Sequence, residues 1–360
     1  MNFLFELGHP AHVHFFAAAL SKLKADGHQV SVFTRNKEIT NALLDRLVIP
    51  YECLSQQQDG YWNLLIELLG HWHKTRRFLS HQKIDLVVSI SGISTTVPAR
   101  FSGVRNIVFT DTEDAKISNY IAFPFADAIY TPHVFLQHLG SKQCRYTGFH
   151  ELAYLQGFDF EAAKRVRKEL NLPERYIIMR FTASDALHDI TLQQAGEDTI
   201  ARLIEILSAH GQVFITAQKG IPERFRKFQL ATPIEKVHAV LAGASGFVGN
   251  SPTMAVESAC LGTPAFLVTN RASKLGNMQS LESEYGLLRN FNTWNDFLTS
   301  FQELPSLGEL KAMWQEKADR FRSQMPNMQQ FVVETLLNEA SKASRVDAND
   351  RSLERSAGLG

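Results

Sequence analysis

At 360 residues the chain is long enough for two ordinary domains, each burying its own core. Hydrophobic residues make up 44% and charged residues 21%, the composition of a globular protein, and 37 basic residues balance 37 acidic ones. That balance excludes a global field drawing in nucleic acid or an anionic membrane, and leaves only local basic pockets.

NFLFEL predicts a first strand, and GHPAH turns the chain into a helix from about His12 to Ala25. HQVSVFT predicts a second strand, with a helix over Lys37–Leu47 behind it. A long amphipathic helix is expected over roughly Trp62–Ser80, where YWNLLIELLGHWHKTRRFL places apolar residues first and basic ones last. DLVVSI, RNIVFT and DAIYTP continue the alternation, with helices from Ser94 and near Lys116 between them.

Beyond RYTGFHELAY (145–154) the rhythm restarts. A helix over Phe160–Leu170 leads to RYIIMRF, one over Gly196–Ala209 to QVFITAQ, and one over Ile234–Ala242 to GFVGN. A helix over Thr253–Leu261 then precedes PAFLV, and helical patterns fill Trp294–Ala340. Short β-rich runs separated by helices predict parallel sheets covered on both faces. The fold class is α/β, with two Rossmann-like doubly wound domains, 1–148 and 149–340, and a disordered polar tail over 341–360. Ligands of such sheets bind beyond the carboxyl ends of the strands, so a cleft between the two domains is expected.

Cys53, Cys144 and Cys260 are widely spaced and odd in number, which suggests neither a disulfide framework nor a zinc site. They read as small buried hydrophobes. No run approaches the ~20 apolar residues of a membrane helix. Residues 3–7 are too few for a signal peptide. A cytoplasmic protein is expected, with peripheral contact at the cytoplasmic face of a membrane left open.

The strongest local feature is GFVGNSPTMAVESACLGTPAFLV. Its strand ends at Val248, Pro252 stands where a helix tolerates proline, and Ser251 is the N-cap candidate. The N–H groups of Thr253 and Met254 then emerge at a helix N-terminus, a ready anion site, with Glu257 one turn further on. A well-capped strand–helix–strand unit with no ligand is the plainer reading of the same residues.

NSPTMAVESACLGTP resembles the nucleotide-sugar site of GT-B glycosyltransferases and of UDP-N-acetylglucosamine 2-epimerases. The resemblance implies Ser251, Pro252, Thr253 and Met254 at the diphosphate and Glu257 at the ribose. YTGF (146–149) is similar to their interdomain TGN. GHPAHVHFF, DTEDAKISN and YTGFHELAYL together resemble a whole-length family of uncharacterised prokaryotic proteins placed among GT-B enzymes, over about residues 1–340. The family neighbourhood implies polysaccharide or glycolipid assembly. The chain also departs from these relatives. The GGTGGH loop of the peptidoglycan N-acetylglucosaminyltransferase is GHPAH here, with His12 at the family histidine. The second Gly-rich loop is replaced by RFTASDALHD, whose Arg180, Ser184 and His188 are candidates for its work. Epimerases place acidic residues after two successive strands; here SISGIS has none and only DTEDAK does, which counts against epimerisation.

In TDTEDAK (110–116), Asp111, Glu113 and Asp114 read as an N-cap cluster, a general base or, with less support, a metal site. The HVH pattern suggests the metal pair of amidohydrolase barrels, but Gly8 and Pro10 have already ended the strand, and i, i+2 residues of a helix point apart. No metal is therefore expected. Lys219 follows another strand end, in a segment that also reads as a solvated turn, and His238 lies on an apolar helical face as a core residue or a ligand.

Glycosyl transfer needs a held diphosphate, an acceptor hydroxyl and, in inverting enzymes, a base. His12, His9, Asp111 and Glu113 are the catalytic candidates, with His12 favoured. The expected activity is an inverting, metal-independent glycosyltransferase without a cofactor. Its partners are a nucleotide-diphosphate sugar, a UDP-sugar foremost, and a sugar or lipid-linked acceptor, with no nucleic acid and no oligomeric state assigned. A UDP-N-acetylglucosamine 2-epimerase-like enzyme and a non-catalytic sugar-nucleotide-binding protein are the alternatives.

Overall fold

The computed structural model describes residues 1–36, 38–56, 61–182, 196–217 and 221–357. The chain forms two compact units, Met1–Tyr154 with the segment from Pro326 onward, and Leu155–Met325.

In the first unit the elements are β1 (Asn2–Leu7), α1 (Pro10–Ala25), β2 (Gln29–Asn36), α2 (Glu38–Arg46), β3 (Glu52–Gln56), α3 (Tyr61–His81), β4 (Leu86–Ile90), α4 (Thr96–Phe101), β5 (Asn106–Phe109), α5 (Lys116–Ala122), β6 (Ala128–Pro132) and β7 (Gln143–Tyr146). Among the described residues these strands form one parallel sheet in the order β3-β2-β1-β4-β5-β6-β7. Central strands are buried on both faces, which is why Phe3, Leu4, Phe5 and Leu7 run almost uninterrupted and are fully buried. Each such side chain contributes ~1.5–3 kcal/mol by burial. The first helix starts two residues earlier than expected, because Pro10 sets the first turn and His9 caps it, its Nδ1 accepting from the Ala11 N–H at 3.2 Å.

A short helix α6 (Leu152–Leu155) follows. The second unit then has α7 (Phe160–Glu169), β8 (Tyr176–Phe181), α8 (Glu197–Ser208), β9 (Gln212–Ala217), α9 (Val237–Gly243), β10 (Gly246–Gly249), α10 (Pro252–Cys260), β11 (Ala265–Val268), α11 (Gly276–Ser283), β12 (Leu288–Phe291), α12 (Trp294–Phe301) and α13 (Leu307–Gln324). Its described strands are parallel in the order β12-β11-β10-β8-β9. Capping boxes open α12 (Thr293, Asp296) and α13 (Ser306, Glu309), each satisfying two end N–H groups.

Two expectations are corrected. The last helix, α14 (Met328–Ala357), belongs to the first unit rather than to the second, and the first unit runs through Tyr154 instead of ending at 148. Met328, Val332, Leu336 and Ala340 are buried, and Glu339 is the anchor: Arg105 Nε donates to it at 2.8 Å and the Tyr130 hydroxyl at 3.0 Å. The helix also continues through the segment expected to be disordered, which contains neither glycine nor proline before Gly358. Of the three cysteines only Cys260 is buried; Cys53 and Cys144 are exposed because they lie on β3 and β7, the two edges of the first sheet.

Candidate functional site

In the second sheet the chain runs from β8 outward to β9, then returns to place β10 on the opposite side of β8. The topological switch therefore falls between β8 and β10, where open α/β sheets leave a crevice at their carboxyl ends. The strand ends are tied closely there. Gly249 is in register with Arg180, and a Cβ on Gly249 would lie 2.5 Å from the Arg180 carbonyl oxygen, so only glycine fits. Asn250 donates its N–H to that carbonyl at 3.1 Å, and its side-chain oxygen accepts from the Thr182 N–H at 2.7 Å.

From this crevice α10 starts, with Ser251 at the N-cap and Pro252 first in the helix. The Ser251 hydroxyl makes no capping bond, so the cap is provided by backbone conformation alone. Pro252, Thr253 and Met254 are half-buried in the first turn. Glu257 follows one turn on, with only 6% of its side chain exposed, and pairs with His238 Nε2 at 3.1 Å. Sequence reasoning left His238 between a core role and a ligand role; the structure makes it the partner of Glu257, from α9. Arg180, at the end of β8, has a guanidinium whose pKa is lowered by burial. Its Nε is buried without a hydrogen-bond partner, and no described carboxylate pairs with it. A cation beside an unpaired helix N-terminus can hold an anion. Ser184, His188 and Lys219 lie outside the described residues.

The catalytic candidates lie in the first unit. Its own switch point falls between β1 and β4. His9 is exposed at the α1 N-cap, and the half-buried His12 ring lies 5.8 Å from it. His14 stacks on Tyr154 at 5.3 Å, a packing role. Asp111 follows β5, its side chain 18% exposed and 3.5 Å from His150 Nδ1. Glu113 is taken up by the loop instead: it is buried, and its Oε1 accepts from the Leu136 N–H at 2.9 Å.

Two buried or half-buried titratable groups at strand ends and in β1 were not singled out in the sequence. His150 is buried against Phe15, and desolvation lowers its pKa, with Asp111 opposing the shift. Glu6 is an acid within the apolar NFLFEL run, hydrogen-bonded by the Thr95 hydroxyl at 2.8 Å. An isolated, half-buried carboxyl inside an otherwise apolar strand run was the available signal. Among the described residues no group of three or more His, Cys, Asp or Glu side chains is placed to hold a metal ion, and no helix is long and apolar enough to cross a membrane.

Comparison with solved structures identifies the fold. MnaA of S. aureus, solved with UDP, superposes with a TM-score of 0.65 at 11% identity, covering 89% of this chain and 91% of that one. The UDP-GlcNAc 2-epimerase of Neisseria meningitidis, bound to UDP-GlcNAc, gives 0.65 at 12% identity over 94% and 100% of the two chains. MurG of Acinetobacter baumannii gives 0.55 at 16% identity over 93% and 99%. The two Rossmann-like sheets are thus those of the GT-B fold. No curated protein sequence matches the chain. Residues 1–279 match the family described as "Protein of unknown function (DUF354)", and the chain belongs to that DUF354 family.

Proposed function

We propose that the protein is a glycosyltransferase that moves a sugar from a nucleotide-diphosphate sugar, foremost a UDP-sugar, to a hydroxyl acceptor. One observation carries the reading: the β8–β10 switch point, the start of α10, the Arg180 guanidinium with its buried Nε, and the buried Glu257 all belong to the strand ends and helix of this crossover. Backbone N–H groups of Thr253 and Met254 with Arg180 suit a diphosphate, and Glu257 suits ribose hydroxyls. That MnaA and the Neisseria epimerase were solved with UDP and UDP-GlcNAc supports a uridine nucleotide.

In the reaction, the acceptor O–H gives its proton to the base and its oxygen bonds to the anomeric carbon. The bond from that carbon to the phosphate oxygen breaks, and its electron pair leaves on the nucleoside diphosphate. Positive charge and N–H dipoles at α10 stabilise that leaving group, the work a divalent ion does elsewhere. On this reading no metal or cofactor is needed, and direct displacement inverts the anomeric centre. His12, in the first turn of α1, and Asp111, in the loop after β5, are the base candidates in the first unit. Exposed Trp62, Leu65, Ile66 and Leu69 on α3, followed on the same face by Arg76 and Arg77, support a lipid-linked acceptor and work at the cytoplasmic face of a membrane. Polysaccharide or glycolipid assembly is the corresponding setting.

An epimerase reading is favoured by one observation, the higher TM-scores of the epimerase structures than of MurG. The deciding experiment is a UDP-sugar screen that follows UDP release with and without acceptor hydroxyls, alongside analysis of the sugar. Acceptor-dependent UDP release supports transfer, and isomerised UDP-sugar without acceptor replaces it with epimerisation. Binding without either product replaces both with a sugar-nucleotide-binding protein. Activity abolished by a chelator overturns metal independence.

A further inference from the structure

Strand β1 carries an acid where its neighbours are apolar. Glu6 stands between fully buried Phe5 and Leu7, in register with Phe33 of β2 and Ser89 of β4. A carboxyl in such a place costs free energy unless it is well hydrogen-bonded. Its hydrogen-bond partner comes from the loop after β4, the Thr95 hydroxyl at 2.8 Å, with Ser94 beside it lowering the carboxyl pKa in the same sense. Thr95 is fully buried and Ser94 nearly so.

The loop reaches Glu6 through strained backbone. Ser91 has φ 66°, the left-handed region that non-glycine residues avoid, and Gly92 follows at φ 63°. A Cβ on Gly92 would lie 2.7 Å from the Thr96 methyl and 2.8 Å from the Ser89 hydroxyl. At Ser91 such strain costs ~1–3 kcal/mol, and strain of this kind clusters at functional sites. The buried Ser89 hydroxyl has no hydrogen-bond partner. All of this sits at the β1–β4 switch point, the position at which a doubly wound sheet binds its ligand. The loop after β4 has no carboxylate of its own, and the neighbouring strand supplies one.

We propose that Glu6, with Ser94 and Thr95, is a subsite that binds a hydroxyl of a neutral sugar acceptor in the first unit. A hydroxyl faces the carboxyl, and among the described residues no Lys, Arg or His forms an ion pair with it. Burial raises its pKa, and the bonds from Thr95 and Ser94 offset that only in part. A carboxyl so disposed pairs with hydroxyls, as donor or acceptor, rather than with cations. The inference rests on the glycosyltransferase reading, and its test is built to fail separately.

The test uses the full chain, E6Q and Thr95→Val, with two probes. UDP binding is followed by calorimetry. Binding of the methyl β-glycosides of glucose, galactose, mannose and N-acetylglucosamine is followed by ligand-observed NMR. The expected result is that at least one glycoside binds the wild type and weakens tenfold or more in both variants, with UDP affinity unchanged within twofold. Glycoside affinity equal in wild type and E6Q, including no binding in either, overturns the subsite. UDP that fails to bind the wild type overturns the nucleotide-sugar reading, and the glycoside arm still decides the subsite. E6Q keeps an acceptor for Thr95, so a loss in E6Q with unchanged melting temperature is not a folding effect.

Discussion

Asn250 and Thr182 hold each other by both ends of one side-chain amide: Oδ1 accepts from the Thr182 N–H at 2.7 Å, and Nδ2 donates to the Thr182 carbonyl at 3.2 Å. The amide thus copies a sheet rung where β8 and β10 have ended, and fixes the strand end that carries Arg180. Asn250→Leu removes both bonds and leaves buried backbone groups unpaired, at ~1–3 kcal/mol each. We expect a lower melting temperature and roughly tenfold weaker UDP binding by calorimetry. Asn250→Asp keeps the acceptor and should recover part of the stability; if the two variants melt alike, the rung has no energetic role.

On the proposed reading Glu257 accepts from ribose hydroxyls, and His238 Nε2 lies 3.1 Å from its Oε1. Hydrogen bonds to a charged group contribute ~1.5–3 kcal/mol, so Glu257→Ala should weaken UDP binding by about ten- to a hundredfold. His238→Ala acts only through Glu257 and should cost several-fold. Unchanged UDP affinity in Glu257→Ala rejects the ribose role.

The strands that are hard to read in the sequence, β3, β7 and β12, are all sheet edges. An edge strand is half-solvated, so ECLSQ, QCRY and LRNF lack the apolar runs of NFLFEL or LVVSI. The β10–α10 unit was legible because Pro252 and Gly262 are local signals at its two ends. The setting of Glu6 was not, because its partner Thr95 lies 89 residues away and only the β1–β4 pairing brings them together. The return of α14 was equally hidden, since Arg105 and Glu339 are 234 residues apart.

The exposed face of α3 should bind anionic lipid. Trp62, with 79% of its surface exposed, and Ile66 with 68% lead a stripe that ends in exposed Arg76 and Arg77. Each basic residue near a charged surface contributes ~1 kcal/mol. Co-sedimentation with phosphatidylglycerol vesicles should fall at least fivefold in Trp62→Ser/Ile66→Ser, and should fall with salt in the wild type. Equal binding to phosphatidylcholine vesicles would show that the basic end is not involved.

Glu339 links α14 to the first sheet and predicts acid sensitivity. Burial pushes its carboxyl up, but Lys342, Arg105 and Tyr130 outweigh this and hold it below 4.5. A depressed carboxyl pKa contributes stability above the unfolded value of about 4.5, and that stability is lost as pH falls through the folded pKa. E339Q strands Arg105 and should destabilise by ~3–5 kcal/mol at neutral pH. Urea melts at pH 7 and pH 3.5 should show the gap between wild type and E339Q shrinking in acid.

Lys311 predicts the opposite limb. Its ammonium is buried in the second unit, donating to the Ala242 carbonyl at 2.8 Å and to the Thr263 hydroxyl at 2.6 Å. Burial, with a smaller push from Arg322, lowers its pKa to about 7 from 10.5. The unfolded chain keeps this proton up to about pH 10.5, while the folded chain releases it near 7. Between those values the unfolded state binds more protons, so stability rises with pH by at most ~1.4 kcal/mol per unit from this group. Lys311→Met removes the titration along with two hydrogen bonds. Its stability relative to wild type should therefore decline steadily from pH 7 to 10, read from urea midpoints at each pH. A constant difference across that range would mean that Lys311 titrates alike in the folded and unfolded states.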